Sequence, residues 1–111
     1  MARIEKVLSG EVSGWRYALD VLGHAGLGAA YSLPAMVPGV LLDWPAWLTW
    51  SLAELLALTG GALRELVQFL KSDKPVADKL HLRDRLLDTL HHALGPPISL
   101  GLVHLVVFLA T

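Results

Sequence analysis

Three stretches of this chain are almost free of charge, and each is long enough to cross a bilayer. Val21 to Leu42 contains no Asp, Glu, Lys or Arg, Trp44 to Leu63 contains only Glu54, and Thr89 to Thr111 contains none. A helix needs roughly 20 residues to span about 30 Å of hydrocarbon. The runs therefore predict an all-α integral membrane bundle, one domain over residues 1–111, with transmembrane helices at about 17–41, 46–70 and 86–110. The rival is a soluble bundle apolar on all sides. A chain of 111 residues has too little interior to hide three such helices. Only 17% of the residues are charged, against about a quarter in ordinary soluble domains. A net charge of −1 leaves no footprint for nucleic acid, and the absence of cysteine excludes disulfides and thiolate metal sites.

The basic residues set the expected orientation. Arg3, Lys6 and Arg16 precede the first run, and Lys71, Lys74, Lys79, Arg83 and Arg85 fall in the connection 71–85. The connection around Asp43–Pro45 has none. Positive charge stays on the cytoplasmic side. That puts the N-terminus and the loop 71–85 inside, the turn "LLDWPAW" outside and the C-terminus outside. The start does not read as a signal peptide, because Glu11, Arg16 and Asp20 interrupt the place of an apolar core. In segment 1–15, Ile4, Val7, Leu8 and Val12 recur at helical spacing. They suit a short interfacial helix, with Trp15 and Tyr17 at the water–lipid boundary; a frayed polar terminus is the alternative. Pro34 and Pro38 predict a kink late in helix one, and Gly95-Pro96-Pro97 must break or bend helix three. The small residues of "GHAGLGAAYS" allow close helix approach.

The polar residues inside these runs share a depth. Asp20 and His24 lie four apart on helix one, Glu65 and Gln68 three apart on helix two, Asp88 and His92 four apart on helix three. With the orientation above, every set falls within about two turns of the cytoplasmic end. Ser51, Glu54, Leu58, Gly61, Glu65 and Gln68 also read as one inward stripe of helix two, with Glu54 deeper in the membrane. Arg64 points about 100° from Glu65, toward the interface or a neighbouring carboxylate. A carboxylate at mid-bilayer costs about 3 kcal/mol, so these groups must be paired, hydrated, protonated or metal-bound. Carboxylate with imidazole suits Zn, Mn or Fe(II), with Asp20, His24, Glu65, Asp88 and His92 as candidate ligands. Alternatively each Asp orients its own His, or the groups form an interhelical hydrogen-bond cluster that only fixes the bundle. His91 lies beside this face, His104 projects from nearly the opposite side as a structural or oligomer-facing residue, and His81 lies in the loop.

"DVLGH" at 20–24, "ELVQF" at 65–69 and "DTLHHALG" at 88–95 resemble the VanZ-like family of small bacterial membrane proteins, named for a teicoplanin-resistance protein. Asp20, His24, Glu65, Gln68, Asp88 and Gly95 match that pattern in kind and spacing. His92 stands where the pattern has Asn, the connection from Gln68 to Asp88 is longer and more charged, and the chain has fewer helices. The resemblance implies a bacterial inner-membrane protein tied to envelope or glycopeptide response.

Three functions compete. In the first, Asp20, His24, Arg64, Glu65, Gln68, Asp88 and His92 bind or process an envelope lipid or its headgroup at the cytoplasmic leaflet. Arg64 and Gln68 then hold an anionic group such as a phosphate. No nucleophile motif is present, so the sequence decides nothing about catalysis. The second is a phage holin or other non-enzymatic membrane component. The third is a homo-oligomer that relays protons or ions through its carboxylates and histidines.

Overall fold

The computed structural model describes residues 13–71 and 82–111. Among these, every regular element is helical: α1 (Gly14–Leu41), α2 (Ala46–Lys71), α3 (Leu82–His92) and α4 (Gly95–Ala110). The expected interfacial helix falls on residues 1–12, outside the described residues, as do residues 72–81 of the expected loop. α1 starts three residues before the expected start at about 17. Ser13 caps it, its hydroxyl accepting from the Arg16 N–H at 3.2 Å. Trp15 and Tyr17 therefore sit in the first turns of α1 itself.

The turn between α1 and α2 is closed by backbone bonds. Trp44 N–H donates to the Gly39 carbonyl at 2.9 Å, and Asp43 N–H to the Val40 carbonyl at 3.4 Å. Asp43 adopts φ 54°, so the end is a Schellman motif with Asp at the left-handed position. Pro45 follows, where it cannot prolong the helix. α1 runs through Pro34 and Pro38 without ending.

The third apolar run is divided where Gly95-Pro96-Pro97 demands it. Ala93 and Leu94 donate to carbonyls three residues back, at 2.9 and 3.1 Å, and α4 begins with the prolines in its first turn. The first-turn amides of a helix have no intrahelical partner, so the missing proline N–H groups cost little there. Among the described residues, two helices are long and apolar enough to cross a membrane, Ala46–Lys71 and Arg85–Ala110, the second comprising α4 and most of α3. At 26 residues each, they reach about 39 Å. α1 is longer, at 28 residues, but Gly, His, Ser, Tyr and Pro dilute its apolar content and it is not among the two.

α1 is the central element and packs along both α2 and α4, which hardly touch each other. Its buried face is Ala25, Gly28, Ala29, Ser32, Ala35, Met36 and Gly39, together with His24. The small-residue stretch thus does serve packing, through Gly28 but not Gly23 or Gly26. On α2 the buried line is Thr49, Ala53, Ala57, Gly61 and Glu65. This corrects the expected stripe: Ser51 and Gln68 are exposed, and Glu54 and Leu58 only partly buried. Close approach to α1 selects the small side chains spaced four apart, whatever their polarity.

Ala35, Met36, Ala53 and Val103 form the apolar core of one half of the bundle. Below it, the fully buried hydroxyls of Ser32 and Ser99 join α1 to α4 at 2.7 Å. Outside, the helices carry large apolar side chains, with Phe108 76%, Leu109 72% and Leu70 69% exposed.

The tightest approach is at the α3–α4 break. A Cβ at Gly28 would overlap the His92 carbonyl, and one at Gly95 would overlap the backbone of Gly28 and Ala29. Backbone cannot move aside as a side chain can. Gly28→Ala and Gly95→Ala are each expected to destabilise the fold by about 3 kcal/mol. Gly23→Ala and Gly26→Ala, whose added Cβ meets nothing within 4 Å, are expected to stabilise by up to about 1 kcal/mol through helix propensity. Thermal unfolding of the four variants in detergent checks the contrast.

Candidate metal and polar site

The polar end of the bundle is assembled from three helices. α1 supplies Asp20 and His24, α2 supplies Arg64 and Glu65, and α3 supplies Arg85, Asp88, His91 and His92. His24, Glu65, Asp88 and His92 are buried. His24 stands in the middle. Its Nε2 lies 3.8 Å from Glu65 Oε1 and 3.7 Å from Asp88 Oδ1, and Arg64 Nη1 donates to it at 3.4 Å. Arg64 also reaches Glu65 Oε1 at 3.4 Å. Arg85 donates to the Glu65 carbonyl at 3.1 Å, lies 3.6 Å from Glu65 Oε2, and covers the Phe69 ring at 5.2 Å.

The repeated Asp-x-x-x-His spacing has a specific geometry. His24 Nδ1–H donates to the Asp20 carbonyl at 2.7 Å, and His92 Nδ1–H to the Asp88 carbonyl at 2.6 Å. A carbonyl only accepts, so the proton sits on Nδ1 and the lone pair of a neutral ring sits on Nε2. Each ring is thereby aimed by the backbone four residues earlier. The carboxylates are left for other contacts: Asp20 Oδ1 approaches His24 Nδ1 at 3.7 Å, while the Asp88 carboxylate turns to His24 on the neighbouring helix.

His92 is completely buried, and its Nε2 has no hydrogen-bond partner among the described residues. Its ring stacks on Tyr31 at 5.9 Å with 10° between planes, and meets the His24 ring edge-on at 5.2 Å. Gly61 makes room for it, since a Cβ there would come within 2.6 Å of His92 Cγ.

His24, Asp88 and His91 each offer a ligand atom, all within 4.8 Å of one another, and this group could hold a metal ion. The trio shares His24 and Asp88 with the expected ligand set and adds His91. Asp20, Glu65 and His92 surround it. The 3.7 Å between His24 Nε2 and Asp88 Oδ1 is close to the roughly 3.4 Å separating two tetrahedral ligands at 2.0–2.2 Å from zinc. Gln68 is brought elsewhere. It is exposed and lines an apolar groove of about 410 Å³ with Tyr31, Gly60, Leu63, Arg64 and Val67. A second cleft of about 250 Å³, lined by Leu19, Asp20, Gly23, His24, Leu27 and Arg64, opens onto the cluster.

Sequence reasoning underrated His91 and missed Arg85, Tyr17 and Tyr31. Arg85 was legible, because it stands three residues before Asp88 and shares its face. His91 was not. It is drawn in where α3 ends and the chain tightens into the break, with the Tyr17 ring edge-on at 6.3 Å. Compared with known proteins, the chain matches no family model, and neither the curated proteins nor the solved structures give a significant match.

The tautomers can be observed directly. Nitrogen NMR of histidine-labelled protein, at a pH where the rings are neutral, is expected to show His24 and His92 protonated at Nδ1. An Nε2–H signal from His24 would mean that the Asp20 carbonyl does not hold the ring.

Proposed function

We propose that the chain is a three-span membrane protein whose polar end, at the cytoplasmic leaflet, holds a divalent metal through His24, Asp88 and His91 and binds the headgroup of an anionic envelope lipid. The convergence of those three ligand atoms within 4.8 Å carries the metal reading. Zn, Mn and Fe(II) all accept imidazole with carboxylate. Three protein ligands leave a coordination position for an oxygen of water or ligand, which the metal would polarise. Asp20 aims His24 through its carbonyl, and Glu65 balances the guanidinium groups of Arg64 and Arg85.

Arg64 supports the lipid reading. It borders both the cleft that Asp20 and His24 line and the apolar groove that runs past Leu63 and Val67. An amphiphile fits that pairing of surfaces, with a phosphate on Arg64 and an acyl chain along the groove. The membrane reading rests on the two apolar helices, the uncharged run in α1 and the exposure of Leu and Phe along their outer faces. The VanZ-like resemblance supports it too, since four of the six residues that carry it, Asp20, His24, Glu65 and Asp88, are gathered in this cluster, while Gln68 lines the groove and Gly95 lies at the α3–α4 break.

Metal analysis of the purified protein, after equilibration with Zn, Mn or Fe(II), tests the site. About one equivalent is expected. His24→Ala, His91→Ala and Asp88→Ala should each weaken binding by more than the roughly 10–100-fold typical of removing an outer-shell partner. His104→Ala should bind as the unmodified chain does. Metal content near zero in the unmodified chain would remove the metal and leave a hydrogen-bond cluster.

Orientation is tested separately by fusing alkaline phosphatase, which is active only outside the cytoplasm. Activity is expected after Thr111 and none after Lys71. The reverse pattern would place the site at the outer leaflet.

A further inference from the structure

Two ionisable side chains lie far from the polar cluster, on the other half of the bundle. Glu54 on α2 is partly exposed and His104 on α4 is exposed. Neither makes a hydrogen bond or ion pair among the described residues. Their chain neighbours Ala53 and Val103 belong to one buried cluster with Ala35 and Met36. Glu54 and His104 therefore stand at one level, each turned about 100° from a core position. Measured from the helix ends at Ala46 and Ala110, the rise per residue puts them about 12 Å and about 9 Å in. At that depth a carboxylate facing lipid is costly, and intramembrane ionisable residues normally pair with one another.

We propose that a second copy of this chain supplies the partner, with Glu54 of one copy bonded to His104 of the partner subunit. The proposal rests on the transmembrane reading. Copies inserted in the same orientation carry both groups in the same leaflet at matching depth. The chemistry is complementary, since an imidazole N–H donates and a carboxylate accepts. The fold leaves the faces available: α1 covers both α2 and α4, while the latter two hardly touch. Trp47, Ser51 and Leu55 flank Glu54, and Leu105 and Phe108 flank His104, all exposed. α2 and α4 run in opposite directions through the membrane, so they meet across copies as antiparallel helices. Apolar contact between helices gains little over contact with lipid, and polar pairs therefore weigh heavily in choosing the interface.

The chain has no cysteine, so cross-linking in membranes is free of background. Full-length Glu54→Cys and His104→Cys chains, tagged to differ in mass, are co-expressed and oxidised. A mixed disulfide is expected. Leu66→Cys with His104→Cys, mismatched by about 21 Å in depth at the helical rise, is the control and should give none. In vesicles of defined lipid, energy transfer between labelled copies is expected to report association. Glu54→Leu and His104→Leu should each weaken it roughly three- to tenfold, and the exchange Glu54→His with His104→Glu should restore it. The pair is overturned if the mixed disulfide does not exceed the control, if the chain stays monomeric at every density in the bilayer, or if the leucine variants associate as the unmodified chain does. A chain released from membranes by alkaline carbonate overturns the transmembrane reading and the pair together. A monomer that stays in the membrane overturns the pair alone.

Discussion

At Gly28 the backbone of α1 meets the His92 carbonyl with no side chain between, and at the next step the chain at Gly95 rests on Gly28 and Ala29. This contact brings the end of α3 and the start of α4 against the middle of α1. It explains why the third apolar segment is broken where it is. An unbroken helix would offer side chains at this level, while the Gly-Pro-Pro step offers bare backbone and tolerates the tightened turn before it. The depth of His92, the position of Asp88 beside His24 and the Ser32–Ser99 bridge all follow from that seating.

The cluster that results is aimed by backbone and tuned by side chains. Two histidines on different helices are fixed in the same way, Nδ1 on the carbonyl four residues earlier, so each ring turns its Nε2 toward the interior. Three carboxylates, Asp20, Glu65 and Asp88, and two guanidinium groups, Arg64 and Arg85, share the cluster, with Glu65 meeting both arginines. With neutral histidines the formal balance is one negative charge. Such a set is costly in a low dielectric unless a cation, water or a protonated group completes it. Arg64 is partly exposed, and its guanidinium donates to the same His24 nitrogen that faces Asp88. In the proposed function, an ion held by His24 would leave Arg64 to bind the headgroup phosphate.

Much of the site was legible because helical spacing and charge counting bear on depth. Asp20, His24, Glu65 and Asp88 do converge, and the break at Gly95 falls where proline chemistry requires it. Other features depended on which face each helix turns inward. On α2, hydrogen-bonding capacity suggested Ser51, Glu54 and Gln68, while steric fit to α1 chose Thr49, Ala53, Ala57 and Gly61 and carried Glu65 inward with them. Gln68, three residues beyond Glu65, was thereby rotated out to the groove. His91 entered because α3 ends one residue later, and no periodicity in the sequence marks that local tightening.

The sequence by itself determined the helical class, the approximate ends of the apolar segments and the gathering of ionisable groups at one end. Those depend on composition and on the rise per residue, which every helix shares. Tertiary structure alone decided which side chains touch: the histidine completing the trio, the tyrosine stacked on His92, and the separation of Glu54 and His104 from every described partner. Those depend on helix rotation. A change of a fraction of a turn exchanges one set of neighbours for another, and Gly28, Gly61 and Gly95 select the rotation because only they let the backbone and His92 approach where a Cβ would overlap.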